Sequence, residues 1–191
     1  YAELPPDAAS LFNRYTKRVT RQIRGFFSSL LFIRIPLYDP DRLLDKWVFL
    51  VGKAFSKTGL FIWISVLLTG VFFIVSNLQE LIYQSRDVLA PDNLFLLYVS
   101  MVIIKVFHEF GHSFACKAFG RRNGSGGQVH TMGVMFLVFL PLPYMDASSA
   151  WAFRKTSHRV IVGLAGMMVE LFIAAIAAVV WANTSTGTLH I

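Results

Sequence analysis

Three long apolar runs, set apart by charged stretches, dominate the pattern of this chain. Residues 59–78 carry no charged side chain. About 20 apolar residues in a helix rising 1.5 Å each cross a hydrocarbon core, so the run predicts a first membrane span. Residues 94–119 predict a second, apolar through Val106 except for Ser100 and Lys105. Residues 160–183 predict a third, interrupted only by Glu170. Residues 132–144 are apolar but too short to cross, and Pro141 and Pro143 remove backbone donors there. Such a segment reads as re-entrant or as a hairpin, tolerated at membrane depth where it is buried in protein or lines a cavity. Residues 79–93 read as a short polar loop and residues 120–131 as a Gly-rich basic one. Upstream, Pro36, Asp39 and Pro40 mark a turn. Asp41 is placed to cap a following helix whose face carries Leu44, Trp47, Val48 and Val51, either lying at the interface or packing on the bundle. The pattern predicts an all-α, multi-pass transmembrane helical bundle with a short re-entrant or hairpin segment. Its parts are a basic N-terminal segment, residues 1–58, and a membrane region, residues 59–191.

Composition supports the membrane reading. The chain has 191 residues, 55% of them hydrophobic, above the roughly 45–50% of soluble domains. The single cysteine, Cys116, excludes an internal disulfide framework. The net charge of +7 sits around the apolar runs rather than in one tract. In the N-terminal segment Arg14, Lys17, Arg18, Arg21 and Arg24 interleave with Phe12, Tyr15, Phe26 and Phe27. That arrangement fits anionic headgroups better than nucleic acid, so the bilayer is the expected partner and nucleic acid is not. The segment holds ten basic against five acidic residues, the loop after the first span is net acidic, and the two loops flanking 132–144 are basic. The positive-inside rule then puts the N-terminus and the far end of the second span on the cytoplasmic side of a cell membrane. Residues 1–58 are too charged for the apolar core of a signal peptide. A start at Tyr1 and a stop just after an apolar run suggest a fragment, incomplete at the C-terminus.

The second span carries the candidate chemistry. His108-Glu109-Phe110-Gly111-His112 has the form H-E-x-x-H. Residues four apart share a helix face, so His108 and His112 can hold one zinc ion from the same side, with Glu109 beside them as catalytic base. Two unrelated helix-face histidines would be the bland alternative in a soluble helix. Here Lys105, His108, Glu109 and His112 form one stripe inside an apolar span, where ionisable groups are costly and are usually functional. Gly111 leaves room either for substrate near a metal or for a neighbouring helix. Lys105 needs a partner, for which Glu170 and Asp146 are the candidates. The same two are the candidate third ligands within the chain, although Asp146 also suits the turn before Ser148 and Glu170 also suits a hydrogen bond within the bundle. Cys116 fits a buried packing thiol better than a ligand. His130 and His158 fall in polar loops, as solvated or interfacial side chains.

Three runs together resemble the site-2 protease family of intramembrane zinc metalloproteases, and within it a bacterial branch of peptide zinc metalloproteases. They are His108 to Ser113, Pro141-Leu142-Pro143-Tyr144-Met145-Asp146-Ala147-Ser148-Ser149, and Gly163-Leu164-Ala165-Gly166-Met167-Met168-Val169-Glu170. The resemblance covers roughly residues 34–191. It implies a bacterial inner-membrane hydrolase that binds Zn2+ through His108 and His112, uses Glu109 as base, and cleaves membrane-associated proteins or peptides. The family's third ligand is an Asp in a motif like N-P-x-x-x-x-D-G. No such motif stands here, which places the third ligand beyond residue 191. Glu170 falls where many relatives have Asn in a G-x-x-x-N pattern, which implies a role in positioning substrate. A non-proteolytic zinc-containing component of a peptide export, secretion or efflux system is the rival reading, and the intact Glu109 favours the enzyme. A bis-histidine haem protein would need histidines at matching depth on two spans, and the third span has none there.

Overall fold

The basic cluster between Arg14 and Arg24 lies outside the described residues. A computed structural model describes residues 32–124, 126–137 and 139–184. In chain order these form strand β1 (Phe32–Tyr38), helix α1 (Asp41–Val51), a 3-10 turn (Gly52–Phe55), α2 (Lys57–Ser76) and α3 (Leu78–Val88). A second 3-10 turn (Pro91–Asn93) leads into α4 (Leu94–Asn123), then β2 (Met132–Leu137) and β3 (Leu140–Met145). A third 3-10 turn (Ser148–Ala152) precedes α5 (Thr156–Asn183). The chain divides into two units. One is residues 1–35 with 134–142, in which the described residues are parts of the three strands. The other is residues 36–133 with 143–191, which holds every helix among the described residues and the site below.

The described residues are mostly helical, and among them three helices are long and apolar enough to cross a membrane: Lys57–Ser76, Pro91–Asn123 and Thr156–Asn183. Their outward faces are apolar, with Phe61, Phe72 and Phe95 exposed. Ser56 opens α2 by accepting a hydrogen bond from the Gly59 N–H at 3.1 Å. Within α2 the hydroxyls of Ser65 and Thr69 donate to main-chain carbonyls one turn back, each at 2.9 Å, so neither is left unsatisfied in an apolar run. The Trp63 indole N–H donates to the Met168 carbonyl of α5 at 2.8 Å. A Cβ on Gly70 would stand 2.7 Å from Ala175, so glycine lets α2 approach α5 closely.

Helix α4 runs through the predicted basic loop as far as Asn123 before Gly124 turns it off with φ +69°. Arg122 explains the extension, since its guanidinium donates to the Phe55 and Gly52 carbonyls at 3.0 and 3.3 Å. The predicted loop at 79–93 is largely α3. Its apolar residues Leu78, Leu81 and Ile82 recur at helical spacing, and the polar residues between them form the other face.

The all-α expectation fails at a three-stranded sheet of order β1-β2-β3. The 132–144 segment is the hairpin of β2 and β3. Pro141 and Pro143 sit on β3, an edge strand, where missing N–H groups cost no ladder bonds on the free side.

The core gathers Leu44, Ala115, Cys116, Phe119, Val129, Met145, Phe153, Val162 and Ala165. It lies where α1, the last half of α4 and the first turns of α5 meet. Leu44 and Val48 of α1 are buried while Trp47 is half exposed, so that helix packs on the bundle by the first pair alone. Asp41 does not cap α1. It is the first helical residue, and its Oδ1 instead accepts from the Val129 N–H at 2.9 Å and meets the Lys117 ammonium at 2.7 Å. Lys117 is buried and also pairs with Asp45 at 3.0 Å. Burial pushes the Asp41 carboxyl up, but the Lys117 ammonium and the Val129 N–H outweigh it and hold the group below the ordinary carboxylate value. The Asp39 carboxylate takes the Asp41 N–H at 2.9 Å, closing the turn that starts α1.

Candidate metal centre

Helices α4 and α5 make the most extensive contact among the described elements, and Lys105, His108 and His112 of α4 face that contact. Residues 108 and 112 share a face of α4, and their two Nε2 atoms converge to 2.9 Å. His112 Nδ1 lies 2.6 Å from the Val162 carbonyl oxygen. A carbonyl only accepts, so Nδ1 carries the His112 proton and Nε2 presents a lone pair. His108 Nδ1 lies 3.0 Å from Glu170 Oε1, a carboxylate within reach of a proton on that nitrogen. The 2.9 Å contact suits one ring donating to the other, or, with both protons on Nδ1, two lone pairs turned to a common point.

Space beside that point comes from α5. A Cβ on Gly166 would stand 2.5 Å from His112 Nε2 and 2.6 Å from His108 Nε2, so the missing side chain leaves a cradle against both nitrogens. Zinc bound at 2.0–2.1 Å in tetrahedral geometry separates two nitrogen ligands by about 3.3 Å. The observed pair is within about 0.4 Å of that, and a small ring rotation closes the difference. The two histidines therefore fit a zinc ion. Among the described residues no third His, Cys, Asp or Glu joins them.

Glu109 faces Met145. Its Oε2 accepts the Met145 N–H at 3.2 Å, at the end of β3. The Ser113 hydroxyl donates to the Glu109 carbonyl at 3.0 Å and contacts the Met145 sulfur, so Ser113 fastens the hairpin end to α4 beside the carboxylate. Lys105 pairs with Glu170, at 2.6 Å, rather than with Asp146. Glu170 addresses Lys105 and the Nδ1 edge of His108, the side of the ring away from Nε2. Asp146 accepts the Ser148 N–H at 2.9 Å, the turn contact anticipated for it.

Gly111 turns away from the histidine pair: its Cβ would meet the Ala165 carbonyl oxygen and the Val169 side chain at 2.9 Å, so it serves helix packing. Cys116 is buried with its sulfur 3.3 Å from the Ser149 hydroxyl and is a packing thiol. His130 is exposed, 3.1 Å from Asp39. His158 is not in a loop. It lies in the first turn of α5, stacked on Phe119 with ring centroids 4.5 Å apart and 2.9 Å from the Asn123 amide. A cavity of about 710 Å³ opens on the Phe107, Phe110 and Phe114 side of α4, against Phe55, Trp63 and Phe172, and holds none of the ionisable stripe.

Sequence reasoning alone did not find Gly166, the Val162 carbonyl or the Met145 N–H. A small residue four positions before Glu170, the one charge in the third span, was the one available signal. No family model, curated protein or solved structure matches this chain.

Proposed function

We propose that the chain carries the active-site half of an intramembrane zinc metallopeptidase of the site-2 protease type. The observation that supports this reading is the 2.9 Å convergence of His108 and His112 Nε2 over the Gly166 cradle, with Glu109 on the same helix. Zinc, when bound, supplies a Lewis acid and makes hydroxide available near neutral pH. His108 and His112 hold it through Nε2. Glu109, steadied at Oε2 by the Met145 N–H, takes a proton at Oε1 during attack on a peptide carbonyl and passes it to the leaving amine. Apolar faces on all three spans exclude bulk water and suit a substrate segment that is itself membrane-associated. The reading requires a third ligand from outside the described residues.

The test uses the full-length protein in detergent or lipid. It is expected to hold about one zinc per chain, to lose it in His108→Ala and His112→Ala, and to cleave a membrane-associated peptide. Glu109→Gln keeps the metal and abolishes cleavage. Unchanged cleavage by that variant overturns the mechanism. Zinc binding without cleavage by the wild type favours a non-proteolytic component of peptide export instead.

A further inference from the structure

The zinc reading accounts for His108, Glu109 and His112 but leaves Lys105 and Glu170 unexplained. Both are ionisable, and both lie within membrane-length helices. One carboxylate oxygen serves two neighbours: Glu170 Oε1 is 2.6 Å from Lys105 Nζ and 3.0 Å from His108 Nδ1. A chain of contacts thus runs from an ammonium through a carboxylate and across the His108 ring to Nε2, 2.9 Å from its twin on His112. His108 Nδ1 is buried, and no acceptor among the described residues is aligned with it as a hydrogen bond. Glu170 is the carboxylate within reach. His112 has its own acceptor, the Val162 main-chain carbonyl, at 2.6 Å. The two rings therefore meet different partners, one a backbone oxygen and the other a side chain whose charge a third residue balances.

We propose that Glu170 is a positioning residue for zinc binding: it fixes the His108 ring with its proton on Nδ1 and strengthens Nε2 as a ligand, while Lys105 neutralises the carboxylate in the bilayer. This rests on the zinc reading. A ring nitrogen backed by a carboxylate is a stronger donor through its other nitrogen, and loss of such a partner weakens metal binding roughly 10–100-fold. Lys105 explains how a carboxylate can be kept at this depth, because an ion pair presents no net charge to the bilayer. It also explains why a cation is tolerated three residues before a metal ligand: its ammonium is turned to Glu170.

The bland alternative is that Glu170 merely balances Lys105. The two are separated by replacing both residues together, Lys105→Met with Glu170→Leu, which removes the ion pair without stranding either charge in the membrane. Full-length protein is purified, helicity and monodispersity are checked, and zinc affinity is measured by chelator competition. Cobalt(II) is then substituted and its visible d–d absorption recorded, a readout of ligand geometry that needs no substrate. The double variant is expected to remain folded and to bind zinc roughly 10–100-fold more weakly, with shifted cobalt bands. Glu170→Gln, whose amide oxygen still accepts from Nδ1, is expected to fall between it and the wild type. A folded double variant with wild-type affinity and an unchanged cobalt spectrum overturns the positioning role and leaves the zinc site standing. A wild type that binds no zinc overturns both.

Discussion

Gly166→Ala is the sharpest perturbation of the site, because it adds one carbon atom where the two histidine nitrogens converge. The added Cβ would lie 2.5 Å from His112 Nε2 and 2.6 Å from both Cδ2 and Nε2 of His108. Ordinary contact begins near 3.4 Å, so the rings or the α5 backbone must retreat by close to 1 Å. Overpacking of this kind costs about 1–3 kcal/mol. At about 1.4 kcal/mol per tenfold, zinc affinity is expected to fall roughly 5- to 150-fold if the strain is borne by the bound state. Gly163→Ala is the matched control. It lies one turn earlier on α5, an added Cβ there meets nothing within 4 Å, and alanine is the better helix former by up to about 1 kcal/mol. Both variants are measured by chelator competition and thermal unfolding in one detergent. Zinc binding by Gly166→Ala equal to that of Gly163→Ala refutes the placement of a metal in the Gly166 cradle.

Other expected outcomes follow from contacts away from the metal. Lys117→Met strands the Asp41 carboxylate against α4 and is expected to destabilise the protein by about 3 kcal/mol, seen as a lower unfolding midpoint. Asp41 has its carboxyl held below the ordinary value, so it contributes stability above the unfolded-state value of 3.8 and loses it as pH falls through the lower folded value. The stability gap between wild type and Asp41→Asn is therefore expected to be full at neutral pH and to shrink below about pH 4 in thermal melts. Gly70→Val forces α2 away from Ala175 at a cost of about 1–3 kcal/mol, read from protease accessibility of the α2–α3 junction. Trp63→Phe removes the 2.8 Å bond to the Met168 carbonyl and is expected to cost about 1 kcal/mol, measured in the same melts.

What the sequence disclosed follows from which forces act along a single segment. The first span was placed within about two residues, because hydrocarbon thickness sets the length of an uncharged run. The shared face of Lys105, His108 and His112 follows from helical spacing alone. Glu170 emerged as the Lys105 partner from two candidates because a carboxylate within a span has few other ways to be satisfied. The rest depends on how segments meet. Gly166 opposes the histidines only because α5 docks in one register, which no periodicity within α5 records. Asp41 had the residue type of a helix cap, but a buried lysine 76 positions downstream competes for its oxygen and wins. The proline-broken segment was recognised as unable to span, yet its pairing with β1 required a strand from the other end of the chain.

The Val162 carbonyl that holds His112 bears on how the protein matures. It is a main-chain atom in the second turn of α5, supplied by a helix that leaves the ribosome after α4. Without α5 that partner is missing, and a neutral imidazole can carry its proton on either ring nitrogen. A membrane intermediate holding α4 alone thus displays the full H-E-x-x-H motif without its preorganised pair of lone pairs. On the zinc reading, both the His112 brace and the Gly166 cradle arrive with α5, so a chain lacking docked α5 is expected to hold the ion less tightly.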